Sequence, residues 1–140
     1  MTAELWWKSL AAWAAMAVLA IGNGVLRQAL FVPALGEPIA RPLSAVTMLA
    51  IVYLLTFVFL NWAGRPRGGV LWAIGLAWVA LTVVFESALG VFMRGMSAAE
   101  IVATFNPLAP TLWFFVVVGT LIAPPLVGAL MRGTAAGAAP

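Results

Sequence analysis

The sequence predicts an all-α integral membrane protein, a bundle of four transmembrane helices. Composition comes first: the 140-residue chain is 65% hydrophobic and only 8% charged, with a mean hydropathy of +1.13. A soluble domain of this size has too much surface for its interior to hide that much apolar area, so the bilayer has to be its solvent. Span length comes second. Apolar stretches at about residues 10–31, 43–62, 70–93 and 112–131 each supply the roughly 20 residues that a hydrocarbon core about 30 Å thick requires. An open chain in lipid must also satisfy its backbone internally, which makes each stretch a helix. The chain therefore reads as one transmembrane domain over residues 1–140.

The first stretch is too long for the apolar region of a signal peptide. Glu4 interrupts the basic segment such a peptide needs, and three further spans follow. Pro33, Pro38 and Pro42 punctuate the first connection, and Gly-Arg-Pro-Arg-Gly-Gly at residues 64–69 makes a tight second one. The third connection is longer. Ser97-Ala-Ala-Glu100 has the form of a capping box, which predicts a short interfacial helix over about residues 98–105, stopped by Asn106-Pro107. Trp6, Trp7, Trp62 and Trp113 fall near span ends, as an aromatic belt would place them. The two halves carry a weak likeness: residues 27–32 (RQALFV) and 86–91 (ESALGV) share Ala, Leu and Val, and Pro42 and Pro110 each precede the following span. Two hairpins related by a parallel repeat would produce that pattern.

The charge balance of +3 and the pI near 10.7 come from basic residues scattered beside apolar runs, which is a topology signal and not a nucleic-acid footprint. Lys8, Arg65, Arg67 and Arg132 fall on one side of a four-span chain. With Arg27 in the membrane and Arg94 at a helix end, only Arg41 stands clearly on the other side. Both termini are then cytoplasmic, and the expected location is a bacterial inner membrane. Cysteine and histidine are absent, and the acidic residues are Glu4, Glu37, Glu86 and Glu100 alone. Disulfides, thiol catalysis, Cys/His zinc sites and histidine-ligated haem are excluded. No metal site, cofactor or enzymatic activity is expected, and no phosphate-binding, dinucleotide or nucleophile-elbow motif occurs.

The polar residues inside the spans are the candidate site. Counting about 1.5 Å per residue from Leu10 puts Arg27 about 25 Å up the first helix, and counting from Val70 puts Glu86 about 24 Å up the third. A charge left alone in the membrane is costly, so an Arg27–Glu86 pair is the expected arrangement. Asn23 lies one turn before Arg27, and Thr82 one turn before Glu86. Ser44 and Thr47 start the second span at the same level, and Gly22 and Gly24 would let a neighbouring helix approach Asn23. Arg27, Glu86, Asn23, Thr82, Ser44 and Thr47 are thus the expected ligand-binding residues, opening to the exterior. The alternatives are a structural clip that fixes helix register and an Arg27 that snorkels to the surface. Arg94 and Asn106 flank the outer connection and either lid the cluster with the Ser97 helix or contact headgroups. In the last span Pro124 and Pro125 deprive the carbonyls of Thr120 and Leu121 of their donors, giving a packing kink or a flexible point.

The segments NGVLRQAL (23–30), LGE (35–37), Ser44, LTVVFE (81–86) and Phe105-Asn106 resemble an uncharacterised family of small four-span bacterial membrane proteins. That family carries a glutamate where this chain has Gln28 and Tyr-Asn where it has Phe-Asn. The resemblance implies the architecture and supplies no activity. Two other small four-span classes differ from this chain. Small multidrug exporters carry a glutamate within the first span, and fluoride channels carry a Phe-Thr-Thr-Phe-Ser motif. The functional expectation is a small transporter, channel or ligand-binding protein built on Arg27 and Glu86. The alternative is a non-catalytic accessory or assembly subunit. The expected partners are the lipid bilayer, a small polar or ionic ligand, and further copies of the chain or a larger membrane complex, with no nucleic acid among them.

Overall fold

Thr2 sets the start of the first helix. Its side chain accepts from the Leu5 N–H (3.3 Å) and caps α1, Ala3–Leu26, so the helix begins well before the apolar run at residue 10. The computed structural model describes residues 2–106, 108 and 112–137. After α1 comes a π-helical turn, Arg27–Phe31, and then α2, Val32–Leu35, giving one continuous helical span of 33 residues, Ala3–Leu35. Pro33 accounts for the π turn. It offers no N–H, and its ring crowds the carbonyl one turn back. Widening the turn by one residue, with the Val32 N–H donating to the Arg27 carbonyl, carries the helix past the proline.

The first connection therefore shrinks to Gly36, whose φ of 75° turns the chain directly into α3, Glu37–Trp62. Pro33, Pro38 and Pro42 do not punctuate a loop as expected; all three lie in helix. Pro38 occupies the first turn of α3, where a missing N–H costs nothing, and an exposed Glu37–Arg41 ion pair (2.5 Å) braces the same turn around Pro42. After the turn at residues 64–68, α4 runs Gly69–Arg94 and ends at Gly95 in the left-handed conformation (φ 64°). The short helix α5, Ala98–Thr104, carries the expected capping box in full: Ser97 accepts from the Glu100 N–H, and the Glu100 carboxylate accepts from the Ser97 N–H (2.7 Å) and hydroxyl (2.8 Å). Pro107 and Pro110 lie outside the described residues. α6, Trp113–Gly137, continues through Pro124 and Pro125 without a break.

The described residues form helices and no strands, and four helical spans are long and apolar enough to cross a membrane. α6 packs against both α3 and α4, and α1 packs on α3. Trp78, Phe59, Val52, Ile74, Leu60 and Ala123 are buried where these helices meet, with Phe59 edge-on to Trp78 (5.3 Å between ring centroids). Apolar residues cover the outside as well, with Phe92 and Met93 at 86% and 77% exposure. A bundle that is greasy on its outer face is one solvated by lipid, and the chain is a membrane protein.

α1 and α4 run in the same direction and touch only sparsely. Two tryptophans join them at one end. The Trp78 indole N–H donates to the Ser9 carbonyl and hydroxyl (3.0 Å each), and the Trp13 indole N–H donates to the Thr82 hydroxyl (3.1 Å). Both links connect residues 69 apart in sequence, so one register aligns the two helices. Toward Arg94 they separate and leave an open groove of about 720 Å³, with Gly24 and Gln28 on one wall and Glu86, Leu89 and Arg94 on the other.

Candidate functional site

Glu86 is the centre of the polar region. Its side chain is 28% exposed and faces Arg94 at 3.7 Å, outside hydrogen-bond range. The expected Arg27–Glu86 ion pair is not formed. The register given by Ser9–Trp78 and Trp13–Thr82 puts Ala17, not Arg27, opposite Glu86. Arg27 lies ten residues further along, about 15 Å up the helix. Counting from Leu10 and Val70 makes the two charges level, but α1 starts at Ala3 while α4 starts at Gly69. Arg94 takes the place of Arg27 because helical side chains lean toward the N-terminus, so a long arginine near the end of α4 reaches back toward Glu86. The Nε of Arg27 is buried without a hydrogen-bond partner.

Asn23, Ser44 and Thr47 do come together. The Asn23 amide donates to the Ser44 carbonyl (2.8 Å) and hydroxyl (3.0 Å), and the Thr47 hydroxyl donates to the Asn23 Oδ1 (2.8 Å). This knot ties α1 to α3 with its principal donors and acceptors already matched. Gly22 and Gly24 play no part in it: a Cβ on either would meet nothing within 4 Å. Thr82 is not part of the knot either, since its hydroxyl serves the Trp13 indole.

Glu86 lines four adjoining cavities. One of about 70 Å³ holds it with Asn23, Ser44 and Trp113. A second, about 30 Å³, lies deeper among Trp13, Thr82, Trp113 and Thr120. A third, about 120 Å³, is roofed by Ile101, Thr104 and Phe105 around α5, with Ser87 and Arg94 on its walls. The fourth is the lateral groove between α1 and α4. The site thus draws together Glu86, Arg94, Asn23, Ser44, Thr82 and Thr120, while Arg27 lines none of these spaces. Thr120 bonds its own helix, donating to the Val116 carbonyl (2.8 Å). Asn106 is exposed and accepts from the Leu108 N–H (2.9 Å), a local turn away from Glu86.

Sequence reasoning missed the aromatic wall. Its position near a span end assigns Trp113 to an interfacial belt, yet it lines three of the cavities around Glu86. Ser9 and Trp13 are one turn apart, as are Trp78 and Thr82. Those paired donors and acceptors at matching offsets were the available signal. Below them Trp78 and Ser9 are fully packed, which closes the polar region at that end.

α5 covers the cavity of about 120 Å³ and is held at its start by Glu100. The Ser97 N–H and hydroxyl bonded to that carboxylate hold it below the usual carboxylate range. A depressed folded-state pKa stabilises at pH above the ordinary carboxylate value and is lost as pH falls through the depressed one. α5 should therefore fray selectively in acid, at pH below about 4. Amide exchange at Ser97 and Glu100 measured against pH checks this, and protection that is flat down to about pH 2 would remove the cap as the cause.

Four membrane-spanning helices around one half-buried carboxylate define the class: a small polytopic membrane protein. Comparison with family models, curated proteins and solved structures finds no match to this chain.

Proposed function

We propose that this chain is a small transporter, channel or ligand-binding protein of a bacterial inner membrane, with Glu86 as its ligand-binding group. One observation carries the reading: the Glu86 carboxylate borders four adjoining cavities, one roofed by α5 and one open sideways between α1 and α4. An ionisable side chain is expensive within a span and is kept there for a role. At 3.7 Å its contact with Arg94 is loose, and the arginine is 56% exposed, so a small polar or ionic ligand can enter between them. Glu86 would take the proton or the cationic part and Arg94 the anionic or carbonyl part, while Asn23 and Ser44 line one adjoining cavity and Thr82 and Thr120 another. The site faces outward with both termini cytoplasmic. Supporting that orientation, Lys8 bonds the Trp62 carbonyl (3.3 Å) while Arg65, Arg67 and Arg132 share one cavity, a cluster of positive charge at the opposite end from α5.

The second reading is an accessory or assembly subunit with a structural polar cluster. The matched Asn23–Ser44–Thr47 knot favours it.

The chain has no cysteine, so single-cysteine variants separate the two. With Glu86→Cys in sealed vesicles of known orientation, a membrane-impermeant thiol reagent should label from the α5 side. Val84→Cys, on a lipid-facing position that is 68% exposed, should stay unlabelled. No labelling of Glu86→Cys from either side would leave the accessory reading. Labelling only from the Arg65 side would mean that the site opens to the other end of the bundle and that α5 does not roof its entrance.

A further inference from the structure

At the end of the bundle away from Glu86, α3 ends, α4 begins and α6 leaves the core. A cavity of about 70 Å³ there is lined by Arg65, Arg67 and Arg132, with Leu60, Pro66, Gly128 and Met131 completing its walls. Three exposed arginines border one small space, and among the described residues no carboxylate lines it. Like charges brought together repel, and an anion between them would relieve that repulsion. The loop is shaped to make it. Arg65 adopts a left-handed backbone (φ 56°), unusual for a residue with a side chain, between Gly64 (φ 78°) and Gly68 (φ 65°). Its N–H returns to the Leu60 carbonyl (2.8 Å), and Asn61 Oδ1 holds its guanidinium by Nη2 (3.0 Å) and Nε (3.3 Å). Gly128 lies beside the Arg132 guanidinium: a Cβ there would stand 2.9 Å from Leu71 Cδ1 and, in ordinary contact, 3.5 Å from Nη1 of Arg132.

We propose that Arg65, Arg67 and Arg132 form a binding site for a phosphate group. Planar guanidinium forks match the oxygens of a phosphate, and several together discriminate it from a halide. Trp7 and Trp62 stack edge-on at the same end (5.0 Å between centroids), at the level where aromatic residues meet headgroups. An anionic phospholipid is thus one source of the phosphate, and a free phosphate ion in the adjoining water is the other. The site is independent of Glu86.

The test is the thermal unfolding of the full chain in a neutral detergent. Phosphatidic acid should raise the midpoint by several degrees, while phosphatidylcholine, whose phosphate is masked by choline, should not. Sodium phosphate against sodium chloride of equal ionic strength separates the sources: stabilisation by phosphate ion as well means that the group alone is recognised, and stabilisation by the lipid alone means that a headgroup is. Arg67→Gln and Arg132→Gln should each weaken the apparent affinity about tenfold, the scale of a lost charge-assisted hydrogen bond. Arg67→Lys, which keeps charge without the fork, should lie between. Arg65 stays intact because Asn61 uses it to hold the loop. Equal stabilisation by phosphatidic acid and phosphatidylcholine in the wild type overturns the proposal whether or not a variant folds. So does an unchanged phosphatidic acid response in both glutamine variants.

Discussion

Trp78→Ala should destabilise the bundle by about 3 kcal/mol, the low end of the range for deleting a buried aromatic side chain. Trp78 has no exposed surface and packs against Phe59. In lipid the transfer contribution between helices is small, so most of the loss is packing left unmade around the hole. Polar bonds go with it, because the indole N–H satisfies both the carbonyl and the hydroxyl of Ser9, which is itself buried. Trp78→Phe separates the two contributions: it keeps most of the volume and loses the bonds, and should cost about 1 kcal/mol. The larger substitution also bears on the site. Trp78 lies one turn below Thr82 and two below Glu86, where α1 and α4 close on each other. Removing the ring should extend the polar space toward the far end of the bundle, and Glu86→Cys in that background should react from both sides of the membrane. Unfolding midpoints of the two variants check the energetics. Equal losses for Ala and Phe would show that the hydrogen bonds, not the ring, hold the helices together.

How much of this was legible in the sequence follows from where its signals were local. Hydrophobic length located the four helices, and the Ser97–Glu100 spacing located α5, because each depends on residues close along the chain. The Asn23–Ser44–Thr47 knot was legible for a related reason: Ser44 and Thr47 open the second span and Asn23 lies toward the end of the first, so the connection between them fixes their level. The Arg27–Glu86 pair failed because its count was long and began in the wrong place. Thr2 caps α1 at Ala3, seven residues before Leu10, whereas α4 begins at Gly69, one residue before Val70, so the offset between the two helices was wrong by six. Thr2 followed by Glu4 was a readable start signal. The remaining offset reflects how the tryptophans slide α1 against α4, a property of the packed helices and not of either alone. Pro33 misled in the same way. Local rules read it as a break, and the π turn at Arg27–Phe31 absorbed it within the helix.

Gly75→Leu should be the most damaging single substitution, costing more than the roughly 3 kcal/mol at the upper end of ordinary overpacking. A Cβ on Gly75 would collide with the carbonyl oxygen of Leu121 on α6, and that obstacle is backbone, which no rotamer change can move. Leu121 is the residue whose carbonyl Pro125 leaves without its usual helical donor. The bare Cα of Gly75 lets α4 lie directly over it, as small residues do wherever membrane helices approach closely. Two features that look unrelated in sequence, a glycine in one span and a proline pair in another, are thus one contact. Even Gly75→Ala forces α4 and α6 apart, and it should lower stability despite the better helix propensity of alanine. Gly24→Ala supplies the control. A Cβ there meets nothing within 4 Å, so only propensity changes, and the variant should gain up to about 1 kcal/mol. The consequence should reach the site, because α6 carries Trp113 and Thr120 to Glu86. Separating α4 from α6 should speed labelling of Glu86→Cys even in protein that remains folded. If Gly75→Ala and Gly24→Ala shift the unfolding midpoint alike, the α4–α6 approach is not the tight contact described, and the cavities beside Glu86 are not fixed by it.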